Sequence, residues 1–351
     1  MEAIVITGPG QFEYRDNQAV PEPGTDEIRV RVLGAGICGT DVHITRGDQS
    51  VMNMVKPPLV LGHEFCGVID KTGPGVTGFS KGDYVSAEMH QVCKTCPACA
   101  DGKYHACVHT KVNGIHCDGA FAEYVVVPAW NVVKLPKSIP IKVASIMDAL
   151  GNAVHTSSKA PIKGRTVAIV GYGPIGAMAS EIAVFLGAAH VFIIDISSQA
   201  LSRAENWAAK RGAVDKVTLI NTHEASLGIL KQKYIPEGVD IAYEMSGASG
   251  GISAAFEFVR AGGTVSLLGI PKEEDVTIQG YSKNVLWKGL TVHGIIGREM
   301  FDTWKQMIGL LEDGLQVEPL ITGEFELKNF SAGLSRFRDG KEQKVVLYPK
   351  K

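Results

Sequence analysis

The pattern of hydrophobic and polar positions changes near residue 163 of the 351-residue chain. Before that point, short runs such as residues 28–32 alternate apolar and polar side chains, and glycine- and proline-rich turns separate them. Alternation of this kind is typical of strands with one buried face. The first region is therefore predicted to be mostly β-structure.

From residue 163 onward, apolar runs alternate with helical segments. Six runs have the length and composition of buried strands, at residues 167–170, 191–195, 217–220, 239–243, 264–268 and 290–294. Strands separated by helices predict a doubly wound parallel sheet with right-handed crossovers. Farther along, an amphipathic helix around Trp304 and Leu311 and a strand at residues 344–348 are expected to return to the first domain.

Together the two patterns predict an α/β protein with two domains. We expect a β-rich catalytic domain at residues 1–151 and 291–351, and a dinucleotide-binding domain with a parallel sheet at residues 152–290. Glycine accounts for 40 of the 351 residues, or roughly 11%, compared with a usual share of about 7%. Because glycine permits sharp turns and close approach of the backbone to a ligand, this excess favours a ligand-binding protein.

Charge and targeting signals narrow the classes of partner. The 35 basic and 37 acidic residues give a net charge of −2, which provides no basic field for nucleic acid or for an anionic membrane surface. The N-terminal residues lack the basic region and the cleavage pattern of a signal peptide. We therefore expect a cytoplasmic protein that acts on a small molecule, with no nucleic-acid or membrane partner.

A glycine-rich turn follows the first predicted strand of the second region. Gly171, Gly173 and Gly176 are spaced for a tight turn, close approach of a pyrophosphate to backbone N–H groups, and close helix–sheet packing. Asp195 ends the next strand, where a carboxylate can accept hydrogen bonds from an adenosine ribose and repel a 2′-phosphate. The pattern predicts NAD, while the nearby Arg203 keeps NADP as an alternative.

Four of the seven cysteines lie close together in the sequence. Their C-x2-C-x2-C-x7-C spacing can place four thiolates around one ion, in the closed tetrahedral shell of structural zinc. The four residues are Cys93, Cys96, Cys99 and Cys107. The bacterial iron–sulfur signature continues differently, with three residues and Cys-Pro. Redox thiols and a nucleic-acid zinc knuckle remain alternatives, and the net charge opposes the knuckle.

A second, dispersed set of donors consists of Cys38, the adjacent pair His63 and Glu64, and Asp148. A mixed set of sulfur, nitrogen and oxygen suits a catalytic zinc, because three protein ligands leave one position for water or substrate. A buried cysteine or a single histidine is by itself more often part of a core. Glycines beside Cys38 and His63, and the nucleotide motif downstream, favour the metal interpretation.

The motifs taken together resemble the zinc-containing medium-chain alcohol dehydrogenases. The resemblance rests on G-I-C-G-T-D-x-H from residue 36, G-H-E from residue 62, the four-cysteine segment and the glycine turn, in that order. Local runs at residues 148–156, 244–248, 268–271 and 297–304 are most similar to the L-threonine 3-dehydrogenase branch. The resemblance implies a GroES-like domain, a Rossmann domain, an active site in the cleft between them, and a homotetramer.

The resemblance also implies roles by position. Thr40 and His43 correspond to the proton-relay pair, and Asp148 to a carboxylate near zinc that supports the relay. Cys38, His63 and Glu64 correspond to the catalytic-zinc group, in which the glutamate either binds zinc or lies just outside its shell. The remaining correspondences are positions that contact the cofactor, namely Ile175, Asp195, Leu268, Gly269, Ile270, Ile295 and Ile296.

The implied reaction is transfer of hydride from a secondary alcohol to NAD, with L-threonine oxidised to 2-amino-3-oxobutanoate. His90 corresponds to a histidine that faces an amino-acid substrate. Residue chemistry suggests Glu64 or Asp148 for the substrate ammonium and Arg298 for its carboxylate. An alternative interpretation makes Arg298 a surface or subunit-interface residue.

Two departures from the branch bear on the substrate. Ala149 and Leu150 follow Asp148 where the branch usually has proline and an aromatic residue or leucine, and Met89 replaces a common glycine before His90. A polyol or diol dehydrogenase is therefore the alternative activity. A non-catalytic NAD-binding protein on the same fold is a further hypothesis, and the presence of the zinc-ligand residues opposes it.

Overall fold

The structure is a computed structural model that describes residues 1–272 and 275–350. The chain divides into two compact units. The first consists of Met1–Ala149 and the segment from Arg298 onward, and the second is Leu150–Gly297. Within the described residues, every helix is too short or too polar to cross a membrane.

The N-terminal part of the chain consists of short strands and mostly short helices. Its strands are β1 (Ala3–Gly8), β2 (Gln11–Arg15), β3 (Glu27–Ile37), β4 (Leu59–Val60), β5 (Phe65–Thr72), β6 (Tyr84–Ala87), β7 (His90–Gln91), β8 (Lys111–Val112), β9 (Tyr124–Pro128) and β10 (Val132–Lys134). Its helices are α1 (Gly39–Arg46), α2 (Gln49–Met52), α3 (Pro97–Ala100), α4 (Ile141–Ala144) and α5 (Met147–Ser157).

The middle of the chain alternates strands and helices. The strands are β11 (Thr166–Val170), β12 (His190–Asp195), β13 (Val217–Asn221), β14 (Val239–Glu244), β15 (Val259–Leu267) and β16 (Thr291–Gly294). The helices are α6 (Pro174–Phe185), α7 (Ser198–Arg211), α8 (Leu227–Tyr234) and α9 (Ser249–Phe258). The C-terminal part adds α10 (Asp302–Glu312), β17 (Gly323–Glu326), α11 (Phe330–Arg338) and β18 (Val345–Tyr348).

In the first unit the longest strand, β3, organises the main sheet. Its side chains are alternately buried and half-exposed from Glu27 to Gly34, as the alternating sequence predicts. β3 pairs antiparallel with β5, β9 and β18, and β17 pairs in parallel with β18. Cys38 lies between the end of β3 and the start of α1. The other two predicted zinc ligands, His63 and Glu64, lie in the short segment between β4 and β5.

The second unit contains a six-stranded sheet in the order β13-β12-β11-β14-β15-β16, and every pair in it is parallel. Central strands such as β11 are buried along almost their whole length, which explains their continuous apolar runs. The predicted fold class is confirmed. The unit extends to Gly297, beyond the predicted boundary at residue 290, because β16 pairs with β15.

The turn between β11 and α6 shows why glycines occupy it. Gly171 has a φ of +96°, which is in the region that favours glycine. A Cβ at Gly176 would overlap the carbonyl oxygen of Gly171. A Cβ at Gly173 would have no protein atom within 4 Å, so this position is open. Pro174 then begins the helix at a position where its missing N–H costs nothing.

We predict that Gly176→Ala destabilises the protein by about 1–3 kcal/mol, because the backbone must move to relieve the overlap. Gly173→Ala is the matched control and should change the free energy of unfolding by less than about 0.5 kcal/mol. Urea unfolding of both variants measures the difference. Equal stability of the two variants would contradict the packing role given to Gly176.

Candidate active site and metal centres

Cys38, His63 and Glu64 come together in the first unit. One ligand atom from each lies within 4.8 Å of the others. Cys38 is the residue before α1, and the other two lie between β4 and β5. Gly36 makes room for this arrangement, since a Cβ there would overlap Oε2 of Glu64. The structure thus assembles sulfur, nitrogen and oxygen donors from residues distant in sequence.

Asp41 links two of these donors and is absent from the sequence prediction. Its side chain is buried, Oδ2 accepts a hydrogen bond from the Cys38 N–H at 2.8 Å, and Oδ1 lies 3.7 Å from Nδ1 of His63. A carboxylate beside the outer nitrogen of a metal-binding histidine fixes the orientation of the ring. The carboxylate three residues after Cys38 forms a capping pair with it, and this pattern could have identified Asp41.

The charges in this group favour a cation. Burial opposes a charged imidazole, but Asp41 and Cys38 outweigh that effect and raise the pKa of His63 to about 10. Burial also raises the pKa of Asp41 to about 6. Nδ1 of His63 and Oδ1 of Asp41 are buried without a hydrogen-bond partner among the described residues. A thiolate, an imidazole and a buried carboxylate therefore fit a zinc ion.

Glu64 forms an ion pair with a buried lysine, Lys344. Nζ of the buried Lys344 lies 2.9 Å from Oε1 and 2.7 Å from Oε2 of Glu64, and it also donates to the Ile37 carbonyl at 2.8 Å. Lys344 comes from the end of the chain and reaches this point just before β18. The ion pair offsets the charge of Glu64, while its Oε2 is buried and has no hydrogen-bond partner among the described residues, so this oxygen could still approach a metal held by Cys38 and His63.

The predicted relay residues lie on α1. Oγ1 of Thr40 is 3.9 Å from Sγ of Cys38, and His43 follows one helical turn later on the same face. Nδ1 of His43 is 2.6 Å from Oδ2 of Asp48, a contact that the sequence prediction did not include. His43 is partly exposed, so its Nε2 can exchange a proton with solvent.

His90, Asp148 and Arg298 form a second cluster in the first unit, together with Glu88. Nη2 of Arg298 is 2.8 Å from Oδ1 of Asp148 and forms a short contact with Oε1 of Glu88. The Arg298 side chain has no exposed surface. These contacts contradict the suggestion that Arg298 binds a substrate carboxylate or lies on the surface, because protein carboxylates already occupy the guanidinium.

The four cysteines of the predicted structural site converge on one point. Their sulfur atoms lie within 4.8 Å of one another, and two of the separations are 3.6 Å for Cys93–Cys107 and 3.9 Å for Cys96–Cys107. Ligands at about 2.3 Å from a tetrahedral zinc are separated by roughly 3.8 Å. Hydrogen bonds from the Thr95 backbone and side chain lower the pKa of Cys93 to about 5. The four residues fit a zinc ion.

In the second unit the predicted cofactor residues lie at the carboxyl ends of the parallel strands, where doubly wound proteins bind nucleotides. Asp195 ends β12, and its Oδ2 accepts a hydrogen bond from the Tyr172 N–H in the glycine turn at 2.7 Å. The open space at Gly173 fits a pyrophosphate. Ile175 lies in the first turn of α6, and the residues that follow β15 and β16 are Leu268, Gly269, Ile270, Ile295 and Ile296.

The carboxylate of Glu244 braces the loop after β14 beside this edge of the sheet. Oε1 accepts hydrogen bonds from the backbone N–H groups of Ser246 at 2.8 Å and Gly247 at 3.0 Å. Burial raises the pKa of Glu244. The run 244–248 contributes to the family resemblance, but its pattern predicts no role for Glu244 itself.

We predict that Asp41→Asn lowers zinc affinity about 10- to 100-fold, because the amide orients His63 without supplying negative charge. Competition with a chelator measures the affinity. Asp48→Asn is the matched control, since Asp48 contacts His43 and should leave zinc binding unchanged. Equal affinities in both variants would show that Asp41 does not support His63.

We also predict that Cys107→Ser loses one zinc ion per chain and lowers the Tm by more than about 4 °C, because a structural metal contributes folding free energy. Metal analysis and thermal unfolding measure these effects. Cys117→Ser is the control, because its thiol contacts Gln91 outside the four-cysteine group. Unchanged metal content in the Cys107 variant would refute the site.

Two family models match the chain, one in each half. Residues 24–137 match the alcohol dehydrogenase GroES-like domain, and residues 174–313 match the zinc-binding dehydrogenase domain. The chain is 42% identical to L-threonine 3-dehydrogenase of Bacillus velezensis, over 94% of this chain and 93% of that protein. It is 40% identical to L-threonine 3-dehydrogenase of an Anaeromyxobacter species, over 99% of both chains.

Solved structures agree with this assignment. An alcohol dehydrogenase from Thermus sp. ATN1 superimposes with a TM-score of 0.88 at 29% identity, over 100% of both chains. Galactitol-1-phosphate dehydrogenase from Escherichia coli gives 0.86 at 29% identity, over 99% of this chain and 100% of that one. A zinc-binding dehydrogenase from Sinorhizobium meliloti, solved with NADP, gives 0.87 at 28% identity, over 99% of both. The chain belongs to the zinc-binding alcohol dehydrogenase family, with its GroES-like domain.

Proposed function

We propose that the protein oxidises the secondary hydroxyl of L-threonine to give 2-amino-3-oxobutanoate, with transfer of hydride to NAD. The observation that carries this proposal is the mixed donor group of Cys38, His63 and Glu64 in a chain whose full-length relatives are L-threonine 3-dehydrogenases. The reaction breaks the C3–H and O–H bonds of the substrate. The hydride goes to nicotinamide and the proton leaves through protein side chains.

Two zinc ions are proposed, one catalytic and one structural. Cys38 and His63 would hold the catalytic ion, and Glu64 would lie beside it as an exchangeable ligand. Bound zinc acts as a Lewis acid that lowers the pKa of a substrate hydroxyl, and NAD accepts the hydride. Asp41 keeps the imidazole of His63 in the orientation that presents its other nitrogen to the ion. The ion in the four-cysteine site would stabilise the segment that carries its ligands, residues 93–107.

Thr40 and His43 are proposed to remove the proton. The Thr40 hydroxyl lies 3.9 Å from Cys38 Sγ, beside the donor group that would hold the catalytic ion. Because Nδ1 of His43 is held by Asp48, Nε2 is the nitrogen that receives a proton and passes it to solvent. Asp48 therefore fixes the tautomer and stabilises the imidazolium that forms.

His90 and Asp148 are proposed to contact the polar groups of the substrate. Of the two carboxylates considered for the ammonium, Asp148 is favoured, because both oxygens of Glu64 are paired with Lys344. His90 is the most exposed member of its cluster, and its Nδ1 contacts Glu88, which leaves Nε2 as the nitrogen that would meet the substrate. Arg298 orients these groups without touching the substrate.

NAD is proposed as the cofactor in preference to NADP. Asp195 lies against the glycine turn, where its negative charge would repel a 2′-phosphate, and the four residues after it carry no positive charge. The pyrophosphate would lie over Gly171, Gly173 and Gly176. The proposed cofactor contacts beyond this turn are Ile175, Leu268, Gly269, Ile270, Ile295 and Ile296.

A homotetramer in the cytoplasm is proposed as the working form. β16 is an edge strand of the parallel sheet, and the exposed apolar side chains of Leu286, Trp287 and Val292 lie on or near it. An unpaired edge with apolar neighbours supports pairing with a second copy. None of the seven cysteines, all of which lie in the described residues, forms a disulfide, which supports a reducing compartment.

Polyol or diol dehydrogenase activity is the second candidate. The likeness to galactitol-1-phosphate dehydrogenase over the whole chain favours it, as do Ala149 and Met89 beside the proposed substrate residues. A neutral polyol would need no anionic partner for an ammonium. The substrate panel below separates the two activities.

We predict that the zinc-loaded enzyme oxidises L-threonine with the highest kcat/KM in a panel that also contains L-serine, 2,3-butanediol and sorbitol, with NAD preferred over NADP. NADH absorbance measures the rates. Cys38→Ser should abolish hydride transfer while NAD binding persists, because the glycine turn lies in another part of the chain. Higher kcat/KM for sorbitol or butanediol would favour the second candidate, and full activity of the Cys38 variant would refute the zinc assignment.

A further inference from the structure

Glu88 is a buried carboxylate that no step of the proposed reaction uses. It has no exposed side-chain surface, and it accepts hydrogen bonds from five donor atoms, one of which is the backbone N–H of His90 at 3.3 Å. Nε of Arg298 lies at 2.6 Å, Nε1 of Trp304 at 3.0 Å and Nδ1 of His90 at 2.6 Å, and Nη2 of Arg298 makes a shorter contact. Such a complete set of donors for one carboxylate fixes the position of each neighbour.

The backbone around Glu88 is held as firmly as its side chain. Nδ2 of the buried Asn131 donates to the carbonyls of Glu88 at 2.5 Å and His90 at 2.9 Å, and the Glu88 N–H donates to the Asn131 carbonyl at 2.9 Å. Glu88 thus sits on a rigid support at the end of β6, two residues from His90. A change in its charge should be felt by its neighbours without large movement of the backbone.

Glu88 neutralises the positive charge of Arg298. Burial alone would raise the pKa of Glu88, but Arg298 and the hydrogen bonds lower it well below its usual range, so the carboxylate is ionised. Arg298 also pairs with Asp148. One guanidinium therefore faces two carboxylates, and these three groups together carry one net negative charge. Without Glu88, Arg298 and Asp148 would cancel.

We propose that Glu88 is a specificity-determining positioning residue: by neutralising Arg298 it leaves the cluster of Glu88, His90, Asp148 and Arg298 with a negative charge that selects alcohols bearing a neighbouring ammonium group. This inference rests on the proposed function and deepens it. Glu88 acts through Arg298 and Asp148, and it does not contact the substrate. Recognition of the ammonium is then a property of the cluster's total charge as well as of Asp148.

A matched pair of ligands tests the inference. L-Threonine and 2,3-dihydroxybutanoate differ only in the group on C2, which is an ammonium in one and a hydroxyl in the other. We expect Glu88→Gln to reduce the preference for L-threonine by about tenfold, as expected for the loss of one nearby charge. The effect should appear in KM and in the Kd measured by calorimetry with NADH bound, and kcat should change little. Glu88→Asp keeps the charge and should restore most of the preference.

Glu181→Gln provides the control for buried polar packing. Glu181 is also buried, and it accepts hydrogen bonds from the indole of Trp207 at 3.0 Å and from Arg211 at 2.8 Å, but it lies in the second unit. Both glutamine variants should lower the Tm, and only the Glu88 variant should change the ligand preference. Equal preference in wild type and the Glu88 variant, or a matching change in the Glu181 variant, would overturn the inference.

The calorimetric readout separates this inference from the proposed function. If the wild-type enzyme oxidises neither compound, the proposed function is wrong, and the binding preference measured without turnover still decides the role of Glu88. If the wild type shows no preference for the ammonium compound in binding, the inference is overturned whatever the enzyme oxidises.

Discussion

Pairing of buried negative charges with buried cations is the constraint on which the first unit depends. An isolated charge is costly to bury, and three carboxylates of this unit are paired with buried cations that offset the cost. Glu64 is paired with Lys344, and Glu88 and Asp148 share Arg298. The group around Cys38 differs, because its positive partner is the titratable imidazole of His63. A divalent cation bound at this group would complete the charge balance.

The same ion pairs hold the carboxylates at different positions in the first unit. Lys344 holds Glu64 at the edge of the donor group, and Arg298 holds Asp148 beside His90. Each cation is buried and comes from the C-terminal part of the chain. That segment therefore supplies the charges that orient groups from the N-terminal part. Removing one partner would leave the other buried and unpaired, which costs more than the pair contributes.

The sequence predicts those features whose chemistry is local along the chain. The glycine turn, the four-cysteine spacing and the strand–helix alternation each lie within short segments, and the fold class and family follow from them. Asp41 had a local signal too, in its capping relation to Cys38. The partners of Arg298 and Lys344 had none, because Glu88 lies 210 residues from Arg298 and Glu64 lies 280 residues from Lys344. The pairing of β18 with β3 brings Lys344 to Glu64, and Arg298 meets Glu88 where the chain returns to the first unit.

A mixed sulfur–nitrogen donor group and a separate four-sulfur group are each proposed to hold one zinc ion. Anomalous diffraction at the zinc absorption edge from crystals of the zinc-loaded protein tests it most directly. We expect two peaks per chain, one bonded to Cys38 and His63 and the other to the four cysteines. A single peak at the four cysteines, with none at His63, would contradict it.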